Sequence, residues 1–236
     1  MWRNVALKIE KKTIMARFIH RPNRFQAYVD IEGEETMVHV PNTGRCREIL
    51  IPGSSVILRE ENGENRKTKY DLIACYKQEK IINIDSQIPN KVVAEALNAR
   101  RIAGLEGYGK VEREKTYGAS RFDFRLTDGE DTTYFLEVKG VTLEESGVAM
   151  FPDAPTERGL KHLKELIDVR RNKGGAGVLF LIQMRDAYCF KPYDVRDKLF
   201  GEALREASEN GVDLYAYNCD VGENHITLLD SVPILL

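Results

Sequence analysis

The sequence predicts an α+β protein with two domains. Residues 1–85 contain short strand-like segments separated by turn-forming residues, which is typical of a small barrel, whereas residues 86–236 combine helical and strand patterns. A length of 236 residues suits one large domain or two modest ones, so the pattern along the chain has to decide between them. The change in pattern places the predicted domain boundary between residues 85 and 86.

The first domain is predicted as a small β-barrel. Turn formers at Arg21-Pro22-Asn23, Pro52-Gly53 and Asn62-Gly63 separate its strand-like segments. Residues 44–50, between the third and fourth strands, are long enough for a short helix, and this arrangement is compatible with a five-stranded OB-like barrel. The predicted strands cover residues 13–19, 24–31, 35–40, 54–60, 69–76 and 80–84.

The second domain is predicted as α/β layers around a mixed sheet. Asp128-Gly129 is the expected turn between its second and third strands, and Thr156 is the expected N-cap of a helix that ends at Gly174-Gly175. The strand after that helix is apolar on both faces, as in a sheet covered by helices on two sides. The other predicted helices cover residues 91–101 and 195–209, and the predicted strands cover residues 110–117, 121–126, 133–141, 176–182 and 212–217.

Composition excludes several classes of protein. The 35 Lys and Arg residues nearly balance the 37 Asp and Glu residues, and the net charge of -2 excludes a uniformly basic coat for nucleic acid. A hydrophobic content of 42% suits a globular protein and excludes disorder. No apolar run is long enough to cross a bilayer and no signal peptide opens the sequence, so we expect a cytoplasmic protein without a membrane partner.

The cysteines are far apart in the sequence and form no CxxC pair. This scatter disfavours a zinc site or a disulfide framework, so we expect reduced thiols. The cysteines are Cys46, Cys75, Cys189 and Cys219.

Two strands of the second domain carry the residues that could do chemistry. Strict alternation over residues 121–126 places Phe122 and Phe124 toward the core and Asp123 on the opposite face. On the following strand, Glu137 and Lys139 share one face. If the two strands pair through the Asp-Gly turn, Asp123, Glu137 and Lys139 converge.

Such a cluster predicts metal-dependent hydrolysis of a phosphodiester. Two carboxylates on a rigid sheet supply hard oxygen ligands for Mg²⁺ or Mn²⁺, and the lysine orients the nucleophile or stabilises developing charge. A third carboxylate could be Glu95 on the preceding helix, or Glu112 or Glu114 on the first strand. The alternative is a surface ion pair, in which Glu137 and Lys139 interact with Arg121 or Arg125.

Several motifs in one order resemble a known family. They are HVPNTG (39–44), PG (52–53), YGASRFDF (117–124), EVKGVT (137–142), FPDA (151–154) and ERGLKHL (157–163). Together they resemble the sugar fermentation stimulation protein A family. Asp123 followed by Glu137-x-Lys139 also resembles the PD-(D/E)xK nuclease superfamily, which has a restriction-endonuclease-like core. The sequence departs from that pattern because Phe122, not proline, precedes Asp123, and the literal Pro152-Asp153 belongs to a loop.

The resemblance implies an N-terminal OB-like DNA-binding domain and a C-terminal nuclease-like domain. It carries metal ligation to Asp123 and Glu137, the catalytic lysine role to Lys139, and the helix carboxylate to Glu95. It also implies a role as a DNA-binding regulator of sugar utilisation. Three functions therefore stay open: a metal-dependent nuclease, a regulator without turnover and, ranked last, a carbohydrate-active enzyme. Glycoside hydrolysis needs two carboxylates across a sugar site, and Lys139 would have no role in that pair.

The basic residues are unevenly distributed. Residues 1–30 hold seven Lys and Arg residues against two acids, with aromatic residues between them, which suits contact with a nucleic-acid backbone and bases. The alternative is that the aromatic rings fill the barrel and the cations are solvated. A homodimer is compatible with cleavage of two strands and stays open. The predicted DNA contacts are Arg17, His20, Arg21, Arg24, Phe25, Arg45, Arg121, Arg158, Lys161 and His162.

Overall fold

The computed structural model describes residues 7–63, 66–129 and 132–236. Arg3 of the basic N-terminal segment and residues 130–131, next to the predicted Asp128-Gly129 turn, lie outside the described residues. The strands are β1 (Leu7–Lys8), β2 (Thr13–Asn23), β3 (Gln26–Ile31), β4 (Glu34–His39), β5 (Ser55–Glu60), β6 (Tyr70–Lys77), β7 (Lys80–Asn83), β8 (Lys110–Tyr117), β9 (Ser120–Thr127), β10 (Thr133–Val141), β11 (Leu143–Glu145), β12 (Val148–Phe151), β13 (Gly175–Ile182), β14 (Cys189–Pro192), β15 (Asp213–Val221) and β16 (His225–Ser231). The helices are α1 (Ile88–Asn98), α2 (Glu157–Arg171) and α3 (Lys198–Glu209).

The N-terminal strands form a closed barrel. Their order is β4-β3-β2-β5-β6-β7, and an additional parallel contact between β4 and β6 at His39 and Asp71 closes five of them into a ring. Alternate strand residues such as Val29, Val38 and Leu58 are fully buried inside it. The predicted OB-like barrel is confirmed.

Two local predictions in the barrel are wrong. The hairpin between β2 and β3 turns after Asn23, whose side-chain oxygen accepts the N–H groups of Phe25 and Gln26, so β2 continues through the predicted turn. Residues 44–50 form turns and no helix. Arg21 takes the carbonyl groups of Gly44 and Arg45, which a helix would use for its own hydrogen bonds.

The C-terminal domain has the predicted mixed sheet, in the order β1-β16-β15-β13-β10-β9-β8. Strands β10, β13 and β15 are parallel neighbours, and the remaining pairs are antiparallel. Helix α1 packs on one face with Leu179 and Leu181, and α2 and α3 pack on the other with Val178 and Phe180. The two-sided burial of β13 follows from this layering, and Thr156 caps α2 as predicted.

Short strands were missed by the sequence patterns. Strands β11, β12 and β14 form a separate small sheet, and β16 adds an antiparallel strand beside β15. Strand β1 pairs with β16, so Leu7–Lys8 lies in the sheet of the second domain and outside the barrel. Strands β1, β11, β12 and β14 are too short for a two-residue alternation to stand out. Strand β16 is longer, but Ile226, Thr227 and Leu228 are buried in succession and show no alternation. None of the helices in the described residues is both long and apolar enough to cross a membrane.

A buried polar contact joins the two domains. The Gln183 Nε2 group donates to Asn83 Oδ1 at 2.9 Å, and the Asn83 N–H donates to the Gln183 carbonyl at 3.0 Å. Both side chains are nearly inaccessible to solvent. The end of β7 is thereby attached to the residue that follows β13. We propose the interval between Asn83 and Ile88 as the domain boundary, since the barrel strands end there and α1 begins.

We expect Gln183→Ala to lower the free energy of unfolding by about 2 kcal/mol, because Asn83 would lose a buried hydrogen-bond partner. Urea titration measures the change. The matched control is Gln87→Ala, at an exposed glutamine whose side chain makes no capping bond, and its cost should stay within about 0.5 kcal/mol. Equal costs for the two variants would contradict the role given to the Asn83 contact.

Candidate catalytic site

The predicted cluster lies where β9 and β10 separate. The two strands pair from Thr127 and Thr133 as far as Phe124 and Leu136. Beyond that point, Asp123 Oδ2 accepts the Val138 N–H at 2.8 Å. A side-chain carboxylate thus satisfies a backbone donor that a continued strand pair would have used.

The strand alternation around Asp123 differs from the prediction. The residues at 122, 124 and 126 are all fully buried, as expected. However, Phe122 belongs to the cluster that contains α2, whereas Phe124 and Leu126 belong to the cluster that contains α1. The predicted strict alternation is therefore wrong at Asp123, where the chain leaves the regular ladder and residues on either side of it pack on opposite faces of the sheet.

Glu137 and Lys139 share the face covered by α2. Glu137 is 3% exposed, and its Oε1 atom accepts a hydrogen bond from Lys139 Nζ at 2.6 Å. The same oxygen lies 2.5 Å from His162 Nδ1 on α2. Burial of a carboxylate is costly unless cationic or hydrogen-bond donor groups pair with it, as Lys139 and His162 do here.

The alternative of a surface ion pair with Arg121 or Arg125 is wrong. The guanidinium group of Arg121 lies 3.4 Å from Glu114, and that of Arg125 lies 2.8 Å from Glu112. Both arginines are thus paired with the first strand of the domain, β8. Glu137 interacts instead with a lysine of its own strand and a histidine of the covering helix.

The two carboxyl groups have opposite pKa shifts. Burial, followed by the nearby charge of Glu137, raises the pKa of Asp123 above its usual value. Burial would also raise the pKa of Glu137, but the hydrogen bond from His162 and the charge of Lys139 outweigh it and lower that pKa. The charge of one carboxylate therefore acts on the other, and a bound cation would relieve their repulsion.

The donor set fits a hard divalent cation. Glu137 Oε2 is buried and has no hydrogen-bond partner among the described residues. Within the described ranges, Asp123 accepts from Asn90 Nδ2, at 2.7 Å, and from the Val138 N–H, which leaves lone pairs on both of its oxygens. The described residues contain no group of three or more His, Cys, Asp and Glu side chains arranged for a metal. Mg²⁺ commonly takes one or two protein carboxylates and completes its shell with water and substrate phosphate, so this pair suffices.

The structure does not bring Glu95 to this cluster. Glu95 lies in a surface cleft with Ile226 and Leu228 of β16, and no hydrogen bond or ion pair within the described ranges joins it to Asp123 or Glu137. Burial alone raises its pKa. Glu112 and Glu114 are paired with cations of β8 and β9.

The residue of α1 that reaches the cluster is Asn90, which sequence reasoning missed. Asn90 follows Pro89, which packs closely against the backbone of β10, since a Cβ atom on Gly140 would lie 2.9 Å from Pro89 Cγ. This contact places the first turn of α1 over Asp123. Nothing in the sequence around Asn90 distinguishes it from other polar residues of a helix start.

The predicted nucleic-acid contacts divide into exposed and internal residues. His162 is 4% exposed and contacts Glu137, and the terminal nitrogens of Arg21 are bonded to backbone carbonyl groups. Arg121 is paired with Glu114, and Lys161 donates to the Ala119 carbonyl at 2.9 Å. Arg121 and Lys161 are nevertheless exposed. The remaining predicted contacts are exposed as well, namely Arg17, His20, Arg24, Phe25, Arg45 and Arg158.

Comparison with known proteins agrees with this architecture. A family model described as the SfsA N-terminal OB domain matches residues 19–84, and one described as the sugar fermentation stimulation protein RE domain matches residues 87–225. The fold and the site define a two-domain protein, in which an OB barrel is joined to a mixed α/β domain that carries paired carboxylates. The chain belongs to the sugar fermentation stimulation protein family.

Individual relatives match along almost the whole chain. The sugar fermentation stimulation protein homolog of Clostridium acetobutylicum is 63% identical over 230 residues, which cover 98% of this chain and 100% of that protein. The homolog of Clostridium kluyveri is 64% identical over 226 residues, covering 96% of this chain and 98% of that protein. A solved structure of Pyrococcus furiosus SfsA in complex with Ca²⁺ has a TM-score of 0.88 at 30% identity, over 98% of this chain and 100% of that one.

We expect Glu137→Gln to flatten the acid dependence of stability in the absence of metal. Because the folded protein lowers the pKa of Glu137 below 4.5, its contribution is present above that pH and is lost as pH falls through the folded pKa. As pH falls below the ordinary pKa of a glutamate, the variant should therefore lose less stability than the parent protein. Urea titrations in EDTA measure this slope, and the exposed residue Glu202 provides the control Glu202→Gln, whose slope should match the parent.

Proposed function

We propose that this protein is a divalent-metal-dependent nuclease that hydrolyses phosphodiester bonds in DNA. The observation that carries the proposal is the buried Glu137 carboxylate, with Lys139 and His162 on one oxygen, an unpartnered second oxygen, and Asp123 beside it. An unsatisfied buried acceptor costs stability, and a cation held between Glu137 and Asp123 would satisfy it. Paired carboxylates next to a lysine suit phosphodiester hydrolysis.

Each side chain has a distinct task in this proposal. Asp123 and Glu137 would hold Mg²⁺ or Mn²⁺. Asn90 and the Val138 N–H fix the position of Asp123, and His162 fixes that of Glu137. A bound divalent cation supplies a water of lowered pKa and neutralises charge on the phosphate. The Ca²⁺ of the Pyrococcus furiosus structure is consistent with a hard-oxygen site.

Lys139 acts on the substrate. Its side chain is only 13% exposed and is held beside the carboxylates, so its ammonium group has a fixed position. A cation held in a site of low water content stabilises negative charge that develops on phosphate oxygens. Its hydrogen bond to Glu137 also keeps that carboxylate ionised.

We expect Glu137→Ala to abolish metal-dependent cleavage of plasmid DNA and to leave affinity for DNA in EDTA nearly unchanged. The matched control is Glu95→Ala, because Glu95 lies against β16, away from Asp123 and Glu137. This variant should keep cleavage within about threefold of the parent rate, a difference of well under 1 kcal/mol. Cleavage is followed on gels with Mg²⁺, with Mn²⁺ and with EDTA.

The outcomes separate the candidate functions. Cleavage that survives Glu137→Ala would show that the carboxylates have been assigned wrongly. Loss of cleavage in Glu95→Ala would return Glu95 to the metal site. DNA binding without cleavage in any metal would favour the alternative of a DNA-binding regulator without turnover.

We expect His162→Ala to raise the metal concentration for half-maximal cleavage by about 10–100-fold, as loss of a group that orients a metal ligand typically does. The rate at saturating metal should change less, because His162 contacts Glu137 and is buried away from solvent. His225→Ala, at a histidine of β16 that faces Asp220, is the control and should keep the parent's metal requirement. A reduced rate with an unchanged metal requirement would rule out this positioning role.

A further inference from the structure

A large cleft lies between the two domains, outside the carboxylate cluster. Its volume is about 880 Å³. One wall is the β2–β3 hairpin with the loop that leads from β4 to β5, and the other is the segment Phe151–Thr156 that leads into α2. The lining contains four arginines and His20 but a single carboxylate, Asp153, in a chain whose net charge is -2. The cleft is therefore a local basic site on a nearly neutral protein.

Arg21 builds the first wall of this cleft. Its Nη1 atom donates to the carbonyl groups of Gly44 and Arg45 at 2.8 and 2.9 Å. Its Nη2 atom donates to those of Arg24 and Asn42 at 2.6 and 2.7 Å. One guanidinium group thus ties the hairpin to the neighbouring loop. The backbone that presents the other arginines of the cleft is held in one conformation.

The other three arginines of the cleft are unpaired. Arg24, Arg45 and Arg47 are exposed, and none of their guanidinium groups has a hydrogen bond or ion pair in the described part of the chain. Elsewhere some exposed arginines are paired, as Arg205 is with Asp194 at 2.6 Å, whereas Arg100, Arg113 and Arg158 have no side-chain partner among the described residues. The cleft differs in gathering three such arginines around one cavity. Unpaired guanidinium groups around one cleft match the geometry of phosphate oxygens, which they bind in a bidentate manner.

The rest of the lining is apolar enough to receive bases. Pro22, Pro52, Phe151 and Pro155 contribute to the walls, and Phe25 at the tip of the hairpin is 52% exposed. Bases stack on aromatic rings while basic side chains follow the backbone. A cleft of this volume encloses a ligand of about drug size, which corresponds to a short piece of single strand.

We propose that the cleft between the domains binds a single-stranded nucleic-acid segment, with its phosphates on Arg24, Arg45 and Arg47 and its bases against the apolar wall. This inference rests on the proposed function, since it names the path of the substrate strand. It places the binding determinants on both domains. Asp153, the one carboxylate in the cleft, weakens the site by its charge.

The first test measures binding without catalysis. A fluorescein-labelled single-stranded oligonucleotide is titrated in EDTA, and its anisotropy is followed over a range of salt concentrations. The triple variant Arg24→Gln, Arg45→Gln, Arg47→Gln should bind at least about tenfold more weakly, and its salt slope should fall by about 2, since each single-strand phosphate contact contributes about 0.7. Asp153→Asn should bind severalfold more tightly than the parent.

The matched control removes the same charge elsewhere. Lys164, Lys173 and Lys191 are exposed and lie outside the cleft, and no ion pair within the described ranges involves them. Their triple substitution by glutamine should leave the salt slope within about 0.5 of the parent value. If this control weakens binding as much as the arginine triple does, binding is due to general surface charge and the cleft assignment fails.

A second test reports on the position of the strand. The native cysteines are all buried, and burial raises the pKa of Cys46 and Cys75 to about 12, so they should react slowly with a maleimide. Thr43→Cys places an exposed thiol in the cleft, and Lys164→Cys places one outside it. The oligonucleotide should slow labelling of the first thiol and leave the second unchanged. If the oligonucleotide leaves the labelling rate of the Thr43→Cys thiol unchanged, the proposal is overturned.

Two further outcomes are informative. If polyglutamate competes as well as the oligonucleotide at equal charge, the cleft accepts acidic polypeptides and the nucleic-acid assignment is wrong. Because every measurement is made in EDTA, failure of the nuclease proposal leaves these results unaffected. Conversely, unchanged binding in the arginine triple would overturn the cleft assignment while metal-dependent cleavage could still be observed.

Discussion

The arrangement of the whole molecule depends on a buried polar connection between the barrel and the sheet. Arg59 of β5 donates to Asp85 at 2.9 Å, and the other oxygen of Asp85 accepts the Gln87 N–H at the start of α1. Asn83 and Gln183 complete the connection at 2.9 Å. Buried groups of this kind are stable only when all partners are in place, so they permit few relative positions of the two domains. The cleft depends on that position because its two walls come from different domains, whereas the carboxylate cluster is built within the second domain.

The cluster of Asp123, Glu137 and Lys139 shows how a sheet can hold charges in its interior. The Asp123 carboxylate accepts the Val138 N–H in place of a carbonyl group of a neighbouring strand. Lys139 and His162 stabilise the buried negative charge of Glu137. These contacts fix the carboxylates on rigid elements, whereas loops would allow them to move. Such preorganisation is what a catalytic site requires, because no reorganisation is needed when the substrate arrives.

Much of the fold could be predicted from local patterns, and the exceptions have physical causes. The N-cap Thr156 and the two-sided apolar strand β13 are local signals, and both are present in the structure. Residues 44–50 were misread because Arg21, far away in the sequence, takes the carbonyl groups of that loop. Local propensity cannot anticipate such a long-range competitor. The small sheet of β11, β12 and β14 consists of segments too short to show a period.

Sequence reasoning also identified the three residues of the cluster but not their supports. Asp123, Glu137 and Lys139 could be predicted because they are close in the chain and lie on adjacent strands. Asn90 and the contact of His162 with Glu137 could not, since both depend on how α1 and α2 pack onto the sheet. Glu95 was chosen for its charge, although the packing of α1 turns it toward β16.

The two-domain organisation, most element types and the positions of the acidic and basic residues could be predicted from the amino-acid order, because they follow from hydrophobic periodicity, turn residues and short spacings. Packing between distant segments establishes which charges are buried together, which arginines hold the backbone, which have no partner among the described residues, and that a cleft lies between the domains. These properties depend on contacts between residues far apart in the chain, and the free energy of such contacts comes from burial and pairing that no local pattern encodes.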